Sequence, residues 1–281
     1  MVEACILIDI RPVSQRQQEG AVPNSHSFPA AELAPNALAF AMPPRSRQLV
    51  VIYDEGNAAD LEMAMASLRR LGFRNVVQTP FHTFANVSKV DHMTVSRCWE
   101  PCPFLQQVMP HVEESAAGRV CVDVGCGCGR DMSYVAMRGW AVVGVDCRRK
   151  LIGQALCLAQ RHGCAPHVGV VVAELSTAIA FRPTCADLVV AVRFLHRPTL
   201  PLLLGLVAAG GFLVYSHFLD GCQHTATGTP STVEGFFLVG ELEAFCTGSG
   251  LDVLISETCI IDDGRPVVNV LCRRPVLHES R

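Results

Sequence analysis

Charge is scarce in this chain. Asp, Glu, Lys and Arg together make up 17% of its 281 residues, and the formal net charge is −3. There is no long basic run, so nothing points to strong binding of a nucleic-acid backbone, which requires many cations to displace condensed counterions. Metal-binding knuckles are also missing, although the chain has 14 cysteines. Cys126 and Cys128 are separated by one residue of a glycine-rich turn, and Cys98 and Cys102 flank Trp-Glu-Pro. Without paired C-x-x-C spacing, no metal site is expected. The cysteines do not form a compact disulfide frame either. They are spread along the segments that read as strands and helices, as reduced thiols of a cytoplasmic protein would be.

Leader and membrane signals are weak. MVEACILIDIRP places Glu3 early and then reads as a strand, which argues against a secretory leader. Pro198 to Leu219 carries no formal charge and is long enough to cross a bilayer. Pro201 and the Gly210-Gly211 pair divide it, however, and predict a helix Thr199 to Ala209 followed by a buried strand Phe212 to Phe218. Internal repeats and low-complexity tracts are absent. What the chain has in quantity is apolar residues, at 50%. That is enough for a substantial core, in one large or two modest domains.

The stretch 120–146, VCVDVGCGCGRDMSYVAMRGWAVVGVD, carries the most information. Val120 to Val124 reads as a buried strand. Gly125, Gly127 and Gly129 punctuate a turn, a helix follows from Arg130, and a second strand from Ala141 ends on Asp146. Ligands of open parallel sheets bind at the carboxyl ends of such strands. Glycines there allow positive φ and close approach of the backbone. The spacing is G-x-G-x-G and not the dinucleotide G-x-G-x-x-G, and Asp123 precedes it on the strand. Downstream, strands are expected at Val168 to Ala173, ending in Glu174, and at Ala186 to Val192, running into Arg193-Phe194-Leu195-His196-Arg197-Pro198. Polar residues just after a fully apolar strand mark that edge as a functional candidate. A helix Val239 to Gly248 and a hairpin of Leu251 to Cys259 with Val267 to Cys272, turning at Asp262 to Arg265, close the chain.

VDVGCGCGRD, VVGVD, RFLHRP, LVAAGGFLVY and GTPSTVEGFFLVGELEAF resemble the class I S-adenosylmethionine (SAM)-dependent methyltransferases, in particular the TehB-like group. The resemblance implies a Rossmann-like domain with a mostly parallel seven-stranded sheet and a C-terminal antiparallel hairpin. It also implies SAM as cofactor. By the same likeness Asp123 orients the methionine end, Gly125, Cys126, Gly127 and Gly129 form the turn under the cofactor, and Asp146 holds the ribose. Cys147 and Glu174 lie near the adenine. Arg193, His196 and Arg197 face the acceptor as anion binders or base, and Arg193 also borders the cofactor. The segment RFLHRP is not N/D-P-P-Y, so the likeness does not extend to adenine- or glutamine-amino methyltransferases. Where relatives carry Tyr-Glu-Thr-Phe, this chain has Tyr215-Ser216-His217-Phe218.

Residues 1–90 read as a separate small α/β unit that resembles rhodanese-like domains in ILIDIRP, EGAVPNSHSFP, VVIYDEGN and SLRRLGFRNVV. Active members carry a persulfide cysteine after the VVIY strand. Here that residue is Asp54, which cannot carry transferable sulfur. An inactive unit for docking, self-association or stabilisation is therefore expected, since fold likeness alone is no warrant for chemistry. Residues 91–110 read as a linker or lid and 111–281 as the second domain. The expected activity is methyl transfer to a small acceptor such as a thiol or a chalcogen oxyanion. The rivals are a non-catalytic SAM-binding interaction protein and, least favoured, a sulfurtransferase. No membrane partner is expected, and nucleic acid is not indicated.

Overall fold

A computed structural model describes residues 5–33, 39–86, 97–175 and 181–276. The chain forms two compact units, Met1–Glu100 and Pro101–Arg281. Of the expected linker, residues 91–96 lie outside the described residues.

In the first unit the order is β1 (Ile6–Asp9), α1 (Val13–Glu19), β2 (Ser25–Ser27), α2 (Ala30–Leu33), β3 (Leu49–Tyr53), α3 (Ala58–Arg70) and β4 (Val76–Pro80). The strands make a parallel sheet in the order β2-β1-β3-β4. Ile8, Leu49, Val51, Ile52 and Leu68 are fully buried around it. The β1, β3, α3 and β4 segments are legible as apolar runs. Helix α1, VSQRQQE, is not, because an ion pair and not an apolar stripe holds it. Its Arg16 is buried against Asp9 at 2.9 Å.

The second unit opens with α4 (Pro103–Ser115), most of which falls inside the stretch 91–110 that reads as a linker or lid. Phe104, Leu105, Val108, Met109 and Val112 recur at helical spacing and are buried in the unit's core. The order continues β5 (Val120–Val124), α5 (Arg130–Ala136), β6 (Ala141–Asp146), α6 (Arg149–Arg161), β7 (Val168–Val172), β8 (Ala186–Val192), α7 (Leu200–Leu204), β9 (Val207–Phe218), α8 (Glu241–Gly248), β10 (Asp252–Ile260) and β11 (Pro266–Arg273). The seven-stranded sheet runs β10-β11-β9-β8-β5-β6-β7. The β9-β8-β5-β6-β7 pairs are parallel, and β11 is antiparallel to both neighbours. This is the Rossmann-like sheet with a closing hairpin that the sequence predicts.

One boundary differs from expectation. The helix ends at Leu204, and the strand begins at Val207 and runs through Gly210-Gly211. The glycines form a bulge inside the strand. Ala186 pairs with Val207 and Leu188 with Phe212, so extra residues of β9 are looped out there. A Cβ on Gly211 would stand 3.0 Å from the carbonyl oxygens of Ala208 and Asp187, which requires glycine. Among the described residues no helix is long and apolar enough to cross a membrane.

Close packing also constrains β6. A Cβ on Gly144 would stand 2.5 Å from Met132 Sδ and 2.9 Å from Cys126 Sγ. Gly144→Ala is expected to cost about 1–3 kcal/mol through overpacking, measured as a lowered urea midpoint with unchanged m.

Candidate functional site

The turn after β5 is fastened to the end of β6. The amides of Gly125 and Cys126 both donate to the Val145 carbonyl, at 2.8 and 2.9 Å. Gly127 N–H donates to Asp146 Oδ2 at 3.0 Å, and Arg148 N–H to Asp146 Oδ1 at 2.8 Å. Gly125, Gly127 and Gly129 have φ of 72°, 53° and 78°, a region closed to most side chains. Asp146 thus performs a local task that spacing alone does not reveal: it ties the glycine turn to the start of α6.

A cavity of about 230 Å³ opens at the carboxyl edge of the sheet. Its walls come from the ends of four neighbouring strands: Gly125 after β5, Asp146, Cys147 and Arg148 after β6, Ala173, Glu174 and Leu175 after β7, and Arg193 and Phe194 after β8. Phe194 packs on the glycine turn so closely that a Cβ on Gly125 would meet it at 3.0 Å. The Phe194 carbonyl accepts from the buried Tyr215 hydroxyl at 2.6 Å, which fixes the loop after β8. Arg193 has a φ of 58°, and its amide donates to the Ser216 carbonyl at 2.9 Å. Such a left-handed arginine at a strand end is a strained feature of the kind that clusters at functional sites.

The cavity gathers Gly125, Asp146, Cys147, Glu174 and Arg193 from the sequence-derived set. The other site residues fall elsewhere. Cys126 is turned inward against Gly144, and burial pushes its thiol well above the usual range. Gly129 caps α5 and faces α6, where a Cβ would stand 2.7 Å from the Ala155 Cβ. Asp123 is buried beneath the turn, accepts from the Met132 amide, and has an Oδ2 without a hydrogen-bond partner. Burial, then the neighbouring Asp131 carboxyl, raises its pKa well above the carboxylate range. His196 does not line the cavity, and its Nδ1 sits 3.1 Å from Thr199 Oγ1. The expectation that Arg197 faces an acceptor is corrected. Glu241 captures its guanidinium through Nε and Nη2, and the Val233 and Phe236 carbonyls accept from Nη1 and Nη2.

Several residues at the site were not singled out from the sequence. Arg148, Ala173, Leu175 and Phe194 line the cavity but belong to no spaced pattern of their own. Asp131 is another. It follows the glycine turn, and its Oδ1 accepts the Cys102 amide at 2.6 Å, anchoring the chain just ahead of α4. Its adjacency to VDVGCGCGR was the available signal. His217, next to Ser216 on β9, is buried. Its Nε2 lies 3.1 Å from the Gly235 carbonyl, and burial lowers its pKa to about 4.

Residues 121–208 match the model of the family described as "Methyltransferase domain". A fission-yeast protein, "Uncharacterized protein UNK4.09" of Schizosaccharomyces pombe, is 29% identical over 217 residues. That match covers 63% of this chain, which spans only 63% of the relative's length. Among solved structures, the protein of echinomycin biosynthesis that converts a disulfide bond into a thioacetal group superposes with a TM-score of 0.50. It shares 17% identity over 63% of this chain and 83% of its own, a likeness of fold. TehB from Haemophilus influenzae superposes with a TM-score of 0.48 at 16% identity, over 60% of this chain and 62% of its own. Within the second unit, the stretch from β5 to the start of β9 is thus the part that matches a methyltransferase domain.

Two outcomes follow from the geometry. Asp146→Ala removes an acceptor of two backbone amides at the cavity wall. It is expected to lower SAM affinity by roughly ten- to a hundredfold, from about 1.5–3 kcal/mol of charged hydrogen bonding, and to lower the melting temperature as well. Calorimetry and thermal melts read the two effects separately. His217 in the folded chain has a pKa near 4, against 6.5 for the ordinary imidazole. The unfolded chain therefore binds the proton first as pH falls. Stability is full above about pH 6.5 and declines towards pH 4, by up to about 3 kcal/mol. Urea melts at pH 7 and pH 5 should differ by less in His217→Gln than in the wild type.

Proposed function

We propose that the chain transfers the methyl group of SAM to a small acceptor, a thiol or a chalcogen oxyanion being the favoured classes. The observation that carries this is the cavity at the carboxyl edge of the sheet, bounded by the glycine turn and Asp146 within the stretch matched by the methyltransferase family. When bound, SAM supplies an electrophilic methyl on a sulfonium. The chain's own residues supply binding and orientation. Asp146 has two carboxylate oxygens with about four acceptor positions, of which the Gly127 and Arg148 amides use two and the more distant Arg148 Nε, at 3.4 Å, a third. That leaves capacity for ribose hydroxyls. Glu174 and Cys147 stand at the wall assigned to the adenine. The unpartnered Oδ2 of Asp123 lies beneath the turn, where the cofactor's amino-acid end would need an acceptor. Apolar Leu175 and Phe194 help to exclude water, and holding two reactants in register is the main catalytic contribution in such a transfer.

The finer assignments belong to the same proposal. Gly125, Asp146, Cys147 and Glu174 line the cofactor site, Asp123, Cys126, Gly127 and Gly129 give its turn its shape, and Arg193 borders it on the acceptor side. Arg193 faces the acceptor, and His196, on the same loop after β8, is the candidate base. The first unit is a rhodanese-like module, supported by its parallel sheet and motif order, and it serves docking or self-association in a cytoplasmic protein. Asp54 stands after β3, where its carboxylate accepts from Gln15 Nε2 at 2.8 Å and from the Gly56 amide at 3.1 Å. The Gln15 hydrogen bond, then the Gly56 amide, holds its pKa below the ordinary carboxylate value. An ionised carboxylate there is the opposite of a sulfur carrier.

The test is radiolabelled methyl release from SAM by the full chain across thiols, selenite and tellurite. Expected are labelled product with at least one of them, strong loss in Asp146→Ala, and a lower rate with retained SAM binding in His196→Ala. SAM binding without methyl loss to any acceptor would replace the enzyme with a non-catalytic SAM-binding protein. Thiosulfate:cyanide sulfur transfer is expected to be nil, and activity that survives Asp146→Ala would overturn the inactive reading of the first unit.

A further inference from the structure

The cavity wall contains two arginines in different states. Arg148 is paired with Asp146, its Nε lying 3.4 Å from Oδ1. Arg193 has no ion-pair or side-chain hydrogen-bond partner among the described residues. Its guanidinium lies over the Phe218 ring, 4.2 Å from the centroid. A second arginine, Arg265, lies over the same ring at 4.1 Å. Arg265 is neutralised by Asp263, with contacts of 3.0 and 2.6 Å, and also donates to the Thr229 carbonyl. Arg197, four residues from Arg193, is consumed by Glu241. Of these four cations, only the Arg193 guanidinium has no carboxylate or carbonyl partner at all among the described residues, whereas Arg148 keeps its Nη donors free but is tied to Asp146 through Nε.

Its backbone supports the same conclusion. Arg193 is exposed, yet its backbone is held in the left-handed region at φ 58° by its bond to Ser216, a conformation that a surface arginine does not need. That conformation carries the side chain from the end of β8 towards the end of β9, where Phe218 seats it. The chain thus spends backbone strain and an aromatic platform on aiming one unpaired cation. Arginine presents a rigid fork suited to carboxylates and other oxyanions.

We propose that the methyl acceptor is an anion and that Arg193, seated on Phe218 and flanked by the already neutralised Arg265, is the residue that binds its negative charge. This rests on the methyl-transfer reading and narrows it to a substrate class. For an anionic nucleophile the balance is simple. A lone pair on the acceptor forms the bond to the methyl carbon while the carbon–sulfur bond breaks. That bonding pair stays on sulfur, giving the neutral thioether S-adenosylhomocysteine, and the acceptor loses one negative charge. No proton moves and no further reagent is needed.

The experiment uses the full chain saturated with S-adenosylhomocysteine. Benzoate, selenite and mercaptoacetate are titrated in by calorimetry, with neutral benzamide alongside. The expected result is binding of at least one anion and none of benzamide. Arg193→Gln should weaken the anion by roughly ten- to a hundredfold, the cost of losing a charged hydrogen bond, with a much smaller change in S-adenosylhomocysteine affinity. Arg193→Lys should recover part of the loss, which a purely structural role would not give. Wild type and Arg193→Gln behaving alike towards every anion, including the absence of any binding, overturns the inference while leaving methyl transfer standing. A folded wild type that fails to bind S-adenosylhomocysteine sinks the methyl-transfer reading, and the inference with it.

Discussion

The carboxylate of Asp146 holds the second unit's site together. It receives the amides of Gly127 and Arg148, one from the turn after β5 and one from the start of α6. Val145, its neighbour, receives those of Gly125 and Cys126. Two adjacent residues at the end of one strand thereby satisfy four amides that helix starts and tight turns leave without partners. The glycine turn can be open to a ligand only because β6 supplies these bonds. The cavity, the seat of Phe194 and the packing of α5 on α6 all depend on the turn keeping that shape.

Around this anchor the site is divided by charge. Beneath the turn lie the buried carboxyls of Asp123 and Asp131, both raised above the ordinary range chiefly by burial. At the ends of β8 and β9 two arginines meet one ring, and the carboxylate beside them, Asp263, is taken by Arg265. Arg193 and Arg265 share Phe218, His217 is kept unprotonated by burial, and the Cys222 thiol is raised by burial. Burial favours the uncharged form of the Asp123 and Asp131 carboxyls, which act through hydrogen bonds, whereas a guanidinium is a fixed cation that suits an anion. Such a division within one cleft is how a protein orients bound ligands without moving parts.

The first unit uses ion pairing where the second uses apolar packing. Asp9 accepts from Arg11 Nε and Nη2 at 3.0 and 2.7 Å and also pairs with Arg16, while Glu19 takes Arg11 Nη1. The Arg11 guanidinium lies 3.3 Å from the Phe81 ring centroid. A buried cluster of this kind adds little net stability relative to an apolar one. Removing a single member leaves an uncompensated charge, so the cluster fixes which helix meets which strand.

The sequence by itself determined the parallel core of both sheets, the glycine turn and the acid ending the second strand of the methyltransferase domain. These are local signals: runs of Val, Ile and Leu with glycines and acids at fixed offsets. It also marked the segment from Arg193 to Arg197 as chemically unusual. Only the tertiary structure decided which of those residues are spoken for. Arg197 is claimed by Glu241, 44 positions away, Gly129 by Ala155, and His217 by the carbonyl of Gly235, whereas Arg193 is left free on a ring from the next strand. The hidden elements have the same cause. Helix α1 is held by a buried ion pair, α4 by a core it meets only in three dimensions, and the Gly210-Gly211 bulge by carbonyls of a neighbouring strand. Periodicity reports the face that an element buries. It carries no record of the partner that buries it, and a side chain's chemistry depends on that partner.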